Sequence, residues 1–222
     1  MKDLTLVFDL DGTLVDTAPD LVAATNHVLQ HIGLPTVEEK RLRPFIGQGA
    51  HYMVEQAMGP AAEKLTLPER SRLLELFLDF YGRNIAVGSR PFEGTVEALQ
   101  SLSRQGARLA VCTNKMEHMS RTLLEALGMS GYFTSIAGRD TLPTFKPDPG
   151  HLLGTIALAG GDSARAIMIG DSRTDIDTAK AAKIPVIAVS FGYTDTPVAQ
   201  LSPDAVIDHY RELEPAILAL RR

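Results

Sequence analysis

The fold of this chain is decided by the stretch Leu4-Thr5-Leu6-Val7-Phe8-Asp9-Leu10-Asp11-Gly12-Thr13, an apolar run that ends in two carboxylates and a glycine. A short, near-continuous apolar run is typical of a parallel strand that is buried on both faces. Ligands bind at the carboxyl ends of strands in open parallel sheets, so we expect Asp9 at the mouth of the sheet. Gly12 lets the chain bend there, which allows Asp11 to turn toward the same pocket. Two acids at this position predict a metal ion, a proton transfer, or both.

The composition limits the classes of partner. The chain has 222 residues, 45% of them apolar, and a net charge of −5. It contains no cluster of lysine and arginine, which argues against binding to nucleic acid or to an anionic membrane surface. The longest apolar stretches are strand-sized, so no transmembrane helix is expected.

The only cysteine, Cys112, lies in the apolar run Leu109-Ala110-Val111-Cys112. We therefore interpret it as a small buried hydrophobic residue and not as a nucleophile. A single cysteine cannot form an internal disulfide and suits a reducing compartment. Because the first strand is predicted to begin by residue 4, we expect no signal peptide before it. The expected location is the cytoplasm.

Strands and helices alternate along most of the chain. Further strands are predicted at residues 108–112, 135–137, 166–169 and 185–189, and helices at 95–105, 117–126, 149–159, 175–182 and 211–220. Such alternation implies a parallel sheet that is covered by helices on both faces. We therefore expect an α/β fold with a doubly wound, Rossmann-like parallel-sheet core.

One interval is too long for a simple crossover between parallel strands. A crossover needs about a dozen residues or somewhat more, whereas more than ninety separate Thr13 from Arg108. Helical patterns at about residues 16–32, 48–58 and 68–84 fill this interval. We expect a core of residues 1–15 and 86–222 and an inserted α-helical cap domain of residues 16–85. A helical insert over the active end of a sheet would form a lid.

Polar residues follow three more of the predicted strands. They are Thr113-Asn114, then Lys146-Pro147 after a loop, and Gly170-Asp171-Ser172 with Asp175 in the next helix. Each group alone is common in turns and helix caps. Their succession in chain order, each past the end of a strand, predicts one catalytic site.

This set of motifs resembles the haloacid dehalogenase superfamily: Asp9-x-Asp11-Gly12-Thr13, Thr113, Lys146 and Gly170-Asp171-Ser172-x-x-Asp175. The resemblance covers the whole chain, and the insert looks like the first type of cap in that superfamily. Residues 7–19, 46–49 and 191–193 are similar to phosphatases that hydrolyse 2-phosphoglycolate. The resemblance implies a Mg²⁺-dependent phosphomonoester hydrolase, a small phosphorylated metabolite as substrate, a first strand at the sheet centre, and a monomer or homodimer.

The carboxylates explain why a metal ion is expected. Three carboxylates that face one pocket would repel a phosphate, and each like-charge pair at about 4 Å costs roughly 4 kcal/mol at an effective dielectric of 20. A bound cation would turn this repulsion into attraction, and a site made of oxygen ligands indicates Mg²⁺. We assign the side chains of Asp9 and Asp171 and the backbone carbonyl of Asp11 as ligands. Asp175 is assigned an indirect or water-mediated contact.

The same residues account for phosphoryl transfer. Asp9 would attack phosphorus and form an aspartyl-phosphate. Asp11 would protonate the leaving oxygen and then activate water. Thr113 and the backbone amide of Asn114 would bind phosphoryl oxygens, and Lys146 would place a positive charge against the transferring group.

Three predictions concern neighbouring residues. Lys115 is expected to point outward, away from the site. Gly47 begins Gly47-Gln48-Gly49, which is either a tight turn into a cap helix or a cap loop that contacts the substrate. Arg41 and Arg43 either bind a substrate carboxylate or belong to a charged helix face with Glu38, Glu39 and Lys40.

Other functions share parts of this pattern. Phosphatases for sugar phosphates, nucleotides or pyrophosphate, and sugar phosphomutases, would use the same core residues. A phosphoryl-accepting receiver domain of signalling proteins also places aspartates, a threonine or serine and a lysine at the mouth of a doubly wound sheet. A receiver, however, has no use for a lid or for the second acid, Asp11.

Overall fold

Six parallel strands form the central sheet in the computed structural model, which describes residues 1–194 and 196–221. The strands are β1 (Thr5–Phe8), β4 (Arg108–Cys112), β5 (Ser135–Ala137), β6 (Ala166–Gly170), β7 (Val186–Val189) and β8 (Ala205–Ile207). Their order in the sheet is β5-β4-β1-β6-β7-β8. The first strand is therefore central, with β4 and β6 on either side.

The alternation of side chains along β1 explains why helices cover both faces of the sheet. Leu6 and Phe8 belong to one buried apolar cluster, whereas Val7 belongs to a second cluster on the other face. The helices of the core are α5 (Thr95–Arg104), α6 (Glu117–Ala126), α7 (Pro149–Leu158), α8 (Arg173–Ala182) and α9 (Leu213–Leu220). Residues of α5, α6 and α9 pack into the first cluster, and residues of α7 and α8 pack into the second. The predicted doubly wound α/β core is confirmed.

The sequence pattern missed one strand of the central sheet, β8, which pairs with β7 at the edge of the sheet. It has three residues, and Val206 in its middle is 40% exposed. A short, half-exposed edge strand has no long apolar run that would reveal it.

The helical insert lies between two short strands, β2 (Val15–Asp16) and β3 (Arg90–Pro91), which pair in antiparallel fashion. It contains α1 (Ala18–His31), α2 (Glu39–Leu42), α3 (Ala50–Met58) and α4 (Leu67–Arg83). The predicted helical insert is thus present, with the short α2 as an additional helix. The division into domains at residues 15/16 and 85/86 stays a prediction.

The two connections between insert and core are held together by Asp20. Its carboxylate accepts hydrogen bonds from the backbone N–H of Gly88 and of Ser89, both at 2.8 Å, and from the Ser89 hydroxyl at 2.6 Å. Asp20 is buried although it is charged. These three donors satisfy the carboxylate away from water. They also fix where the chain enters and leaves the insert.

In the part of the chain that the structure describes, no helix has the length and apolar character required to cross a membrane.

Candidate active site

The carboxyl ends of three adjacent strands bring the predicted catalytic residues together. Asp9 follows β1, Thr113 follows β4 and Asp171 follows β6, and all three side chains are buried. The strands lie side by side in one parallel sheet, so residues far apart in sequence meet at one edge. Lys146 and Asp175 are buried at the same edge.

Asp9, Asp171 and Asp175 form a carboxylate cluster in which one oxygen atom of each residue lies within 4.8 Å of the others. Burial is the main reason that the pKa of Asp9 rises to about 6, and the charges of Asp175 and Asp11 add to the effect. Burial, followed by the charges of Asp175 and Asp9, raises the pKa of Asp171 well above its usual range. The cluster therefore holds more negative charge than its surroundings stabilise.

Lys146 compensates part of that charge. Its Nζ lies 2.6 Å from Asp175 Oδ1 and 2.9 Å from Asp9 Oδ1. Burial alone would lower the pKa of Lys146, but the carboxylates of Asp175 and Asp9 overcome that effect and raise it. The ammonium group is therefore charged at neutral pH.

The side chain of Asn114 positions the Lys146 segment, a role that the sequence did not reveal. Its Nδ2 donates to the Lys146 carbonyl at 3.0 Å, and its Oδ1 accepts from the Lys146 backbone N–H at 3.1 Å. Both contacts join residues 32 positions apart in the chain. A side-chain contact over that distance leaves no local pattern in the sequence.

Both oxygens of Asp175 are engaged within the protein. Oδ2 accepts from the backbone N–H of Asp171 at 3.2 Å, and from the backbone N–H and hydroxyl of Ser172 at 3.1 and 2.7 Å. Oδ1 accepts from Lys146. Because these bonds occupy both oxygens of Asp175, the indirect or water-mediated contact with a metal ion stays the prediction for this residue.

Asp171 is oriented by two donors from other parts of the chain. Its Oδ1 accepts from the Thr13 hydroxyl at 3.0 Å, and its Oδ2 accepts from the backbone N–H of Tyr193 at 2.6 Å. Gly12 lies against the same carboxylate with a φ of +83°, and a Cβ at this position would overlap Asp171. The glycine of the first motif is therefore required both by its backbone conformation and by this close approach.

The donor set of the cluster fits a Mg²⁺ ion. Asp9 Oδ1 is buried, and the ammonium group of Lys146 lies 2.9 Å from it. The three carboxylates exceed the single charge of Lys146, and all of the candidate ligand atoms are oxygens, which Mg²⁺ prefers. Asp9, Asp171 and the backbone carbonyl of Asp11 are the residues that would hold the ion.

Asp11 points away from the carboxylate cluster and toward Lys115. Lys115 Nζ lies 3.1 Å from Oδ1 and 3.2 Å from Oδ2 of Asp11, and 4.4 Å from the centroid of the Tyr81 ring.

The expectation that Lys115 points outward is wrong, because its side chain is only 6% exposed. The Lys115 backbone N–H donates to the Thr113 hydroxyl at 3.2 Å, and this tight turn brings the side chain back over the strand ends. The position of Lys115 directly after Thr113-Asn114 is the signal that could have identified it.

A cavity of about 450 Å³ opens above these residues, between the core and the insert. The core contributes Asp9, Asp11, Thr113, Asn114, Lys115 and Lys146 to its wall, and the insert contributes Gly47, His51, Phe77 and Tyr81 among others. Gly47, predicted to contact substrate, lines this cavity. Arg43 does not line it.

Arg43 is paired within the chain. Its guanidinium lies 2.9 Å from Asp16 Oδ2 and 2.7 Å from Glu39 Oε1, and 5.0 Å from the centroid of the Tyr193 ring. Arg41 is exposed. In this arrangement Arg43 connects the insert to Asp16 of β2, and its assignment as a substrate-binding residue stays a prediction.

Comparisons with known proteins agree with this geometry. A protein-family model described as haloacid dehalogenase-like hydrolase matches residues 6–189. The chain is 53% identical over 208 residues to a phosphoglycolate phosphatase of Mesorhizobium japonicum, covering 94% of this chain and 92% of that protein. It is 46% identical over 211 residues to a phosphoglycolate phosphatase of Agrobacterium fabrum, covering 95% and 91%.

A solved structure supports the same grouping. The crystal structure of a predicted phosphoglycolate phosphatase from Haemophilus somnus superimposes with a TM-score of 0.90 at 30% identity, covering 100% of this chain and 99% of that one. The family match, the relatives and the shared fold extend over nearly the whole length of the protein. The chain therefore belongs to the haloacid dehalogenase-like hydrolase family.

Proposed function

We propose that this chain is a Mg²⁺-dependent phosphomonoester hydrolase that converts 2-phosphoglycolate to glycolate and phosphate. The observation that carries the proposal is the separation of the two aspartates of the first motif. Asp9 belongs to the carboxylate cluster, whereas Asp11 faces the cavity and contacts Lys115. This separation supports attack on phosphorus by Asp9 and proton transfer by Asp11.

In the first half of the reaction, a carboxylate oxygen of Asp9 forms a bond to phosphorus. The bond from phosphorus to the ester oxygen of the substrate breaks, and Asp11 donates a proton to that oxygen so that glycolate leaves as an alcohol. When bound, the Mg²⁺ ion supplies positive charge that offsets the repulsion between the carboxylates and the phosphoryl group. Lys146, which contacts Asp9, adds a second positive charge.

In the second half, Asp11 removes a proton from water, and the oxygen of that water attacks the phosphorus of the aspartyl-phosphate. The bond between phosphorus and Asp9 breaks, which releases phosphate and restores the carboxylate. Thr113 and Asn114 line the cavity, and the hydroxyl of Thr113 and the backbone amide of Asn114 bind phosphoryl oxygens in both halves. The lining of the cavity by the insert supports a lid that keeps bulk water away during the first half.

The identity of the substrate rests on the relatives. Those in Mesorhizobium japonicum and Agrobacterium fabrum are named phosphoglycolate phosphatase.

The single buried cysteine, Cys112, supports a cytoplasmic enzyme. A monomer or a homodimer stays the expected assembly.

A substrate panel tests the proposal. Steady-state phosphate release is measured with Mg²⁺ for 2-phosphoglycolate, sugar phosphates, nucleotides, pyrophosphate and p-nitrophenyl phosphate. We expect 2-phosphoglycolate to have the highest kcat/KM. A higher value for another phosphate would assign the enzyme to that substrate, and formation of an isomeric sugar phosphate would indicate a mutase. A single turnover without further phosphate release would indicate a receiver domain.

A further inference from the structure

The buried ammonium group of Lys115 has no role in the steps of the proposed reaction. It lies in the wall of the cavity, 3.1 Å from Asp11 and against the ring of Tyr81, which belongs to α4 of the insert. A charged lysine is therefore held at the contact between core and insert.

Lys115 differs from the other lysine that lines the cavity. Lys146 is enclosed by Asp9 and Asp175, which belong to the phosphoryl-transfer machinery. The ammonium group of Lys115 donates to both carboxylate oxygens of Asp11, at 3.1 and 3.2 Å, and lies beside Tyr81. An ammonium group has three N–H donors, so Lys115 has capacity for another acceptor on its cavity side.

Tyr81 provides a second unused group at the same place. The residue is 1% exposed, it lines the cavity, and its hydroxyl has no hydrogen-bond partner of normal geometry among the described residues, although the ammonium group of Lys115 lies close to it. A buried hydroxyl without a partner is unfavourable, and a ligand that accepts its proton would remove the penalty. The ammonium of Lys115 and the hydroxyl of Tyr81 are adjacent donors, which is a suitable arrangement for an anion.

The position of Asp11 sets the distance between this anion-binding site and the phosphorus–oxygen bond that breaks in the reaction. A general acid must come within about 3 Å of the leaving oxygen, and Lys115 Nζ is 3.1 Å from the same carboxylate. In 2-phosphoglycolate a single methylene separates the leaving oxygen from the carboxylate. A substrate whose ester oxygen contacts Asp11 therefore places its carboxylate next to Lys115.

We propose that Lys115 and Tyr81 form the carboxylate subsite of this enzyme, so that they determine its specificity for a phosphate ester of a short 2-hydroxy acid. The inference rests on the proposed function for the reaction, and it names the residues that recognise the leaving group. The phosphoryl group would be bound by the residues at the strand ends. The carboxylate would be bound where the insert closes on the core.

The test compares two substrates that differ at the carboxylate. The second is 2-hydroxyethyl phosphate, in which a hydroxymethyl group replaces the carboxylate of 2-phosphoglycolate. The ratio of their kcat/KM values is measured for the unmodified enzyme, for Lys115→Met and for Tyr81→Phe. Lys64→Met, which changes an exposed lysine of the insert, is the matched control.

We expect Lys115→Met to lower the ratio roughly 10- to 100-fold, the loss associated with a hydrogen bond between charged groups. Tyr81→Phe should lower it less, and Lys64→Met should leave it unchanged. If Lys115 acted only by holding Asp11, both substrates would lose the same factor and the ratio would not move; that result overturns the subsite. An unmodified enzyme with no preference for the carboxylate also overturns it.

Binding gives a readout that does not depend on turnover. Calorimetry with 3-phosphonopropionate, a non-hydrolysable analogue of 2-phosphoglycolate, should show weaker binding to Lys115→Met than to the unmodified protein. Lys115→Arg, which keeps the charge, should retain more of the affinity. Equal affinities for all three proteins would contradict the subsite even if the variants were inactive. Failure of the proposed function is a separate result, because it would appear in the substrate panel of the unmodified enzyme, either as absence of phosphate release or as a higher kcat/KM for another phosphate.

Discussion

Tyr193 and Asp16 are joined by a hydrogen bond of 2.5 Å from the phenol hydroxyl to Oδ1, although they lie 177 residues apart in the chain. The backbone N–H of the same tyrosine donates a hydrogen bond to Asp171. Asp16 also forms an ion pair with Arg43 of the insert. Tyr193 therefore connects the carboxylate cluster to the strand that enters the insert. The insert and the carboxylate of Asp171 are therefore linked through one residue.

Tyr193→Phe should destabilise the fold while leaving the metal site in place. The change removes the hydroxyl that donates to Asp16 and accepts from the Ala18 backbone N–H at 2.9 Å, but it keeps the backbone N–H that holds Asp171. We expect the free energy of unfolding in urea to fall by about 1–3 kcal/mol. Tyr132→Phe, which changes a phenol that contacts Gln100 on the surface, is the control and should have little effect. An equal loss in both variants would contradict the role of the buried bond.

Asp9→Asn should abolish turnover and preserve the fold. The amide has nearly the same shape as the carboxylate but cannot form the bond to phosphorus. We expect kcat to fall by at least about 10³-fold, measured as phosphate release with Mg²⁺. Asp177→Asn, at an exposed position of α8, should retain full activity. Substantial residual turnover in the Asp9 variant, with a circular dichroism spectrum like that of the unmodified protein, would remove Asp9 as the nucleophile.

Asp11→Asn should slow turnover but leave metal binding largely intact. The amide cannot exchange a proton with the leaving oxygen or with water, and such assistance is typically worth about 10²–10⁴ in rate. The backbone carbonyl assigned to the metal is still present in the variant. The shift in melting temperature on addition of Mg²⁺ should therefore resemble that of the unmodified protein. A decrease in rate of less than tenfold would show that Asp11 is not the acid and base.

Metal binding should weaken in mild acid. Burial raises the pKa of Asp9 to about 6, so the proton must be displaced from this side chain before a cation binds below that pH. In the metal-free protein the raised pKa contributes stability that is fully present below the usual value of 3.8 and is lost as the pH rises through about 6. Mg²⁺ acts in the opposite direction, because it stabilises the charged form.

The measurement is the gain in melting temperature caused by Mg²⁺ at about pH 7.5 and about pH 5. We expect a clear gain at the higher pH and a small one at the lower pH. The melting temperature without Mg²⁺, recorded at both values, separates the effect of the metal from that of the pH alone. Equal gains in melting temperature at the two pH values would show that no carboxylate with a raised pKa contributes to the metal site.

The sequence by itself determined the order of the core elements and the residues at the strand ends. Asp9, Thr113 and Asp171 each follow a short apolar run, and burial of such a run in a parallel sheet is a local property that the pattern records. The adjacency of β4, β1 and β6 then brings these residues together. The strand β8 escaped detection because it lies at the edge of the sheet and its middle residue, Val206, is exposed, so it has no continuous apolar run.

Only the tertiary structure decided which way the side chains outside regular elements point. Lys115 contacts Asp11, 104 residues earlier in the chain, and Arg43 contacts Asp16 and not the cavity. In a turn, the direction of a side chain depends on the charges and rings that distant parts of the chain bring near it. Those contacts exist only after folding, so the spacing of residues contains no record of them. For this reason the phosphoryl-transfer residues were predictable from the sequence, whereas the residues proposed to select the leaving group emerged only from the fold.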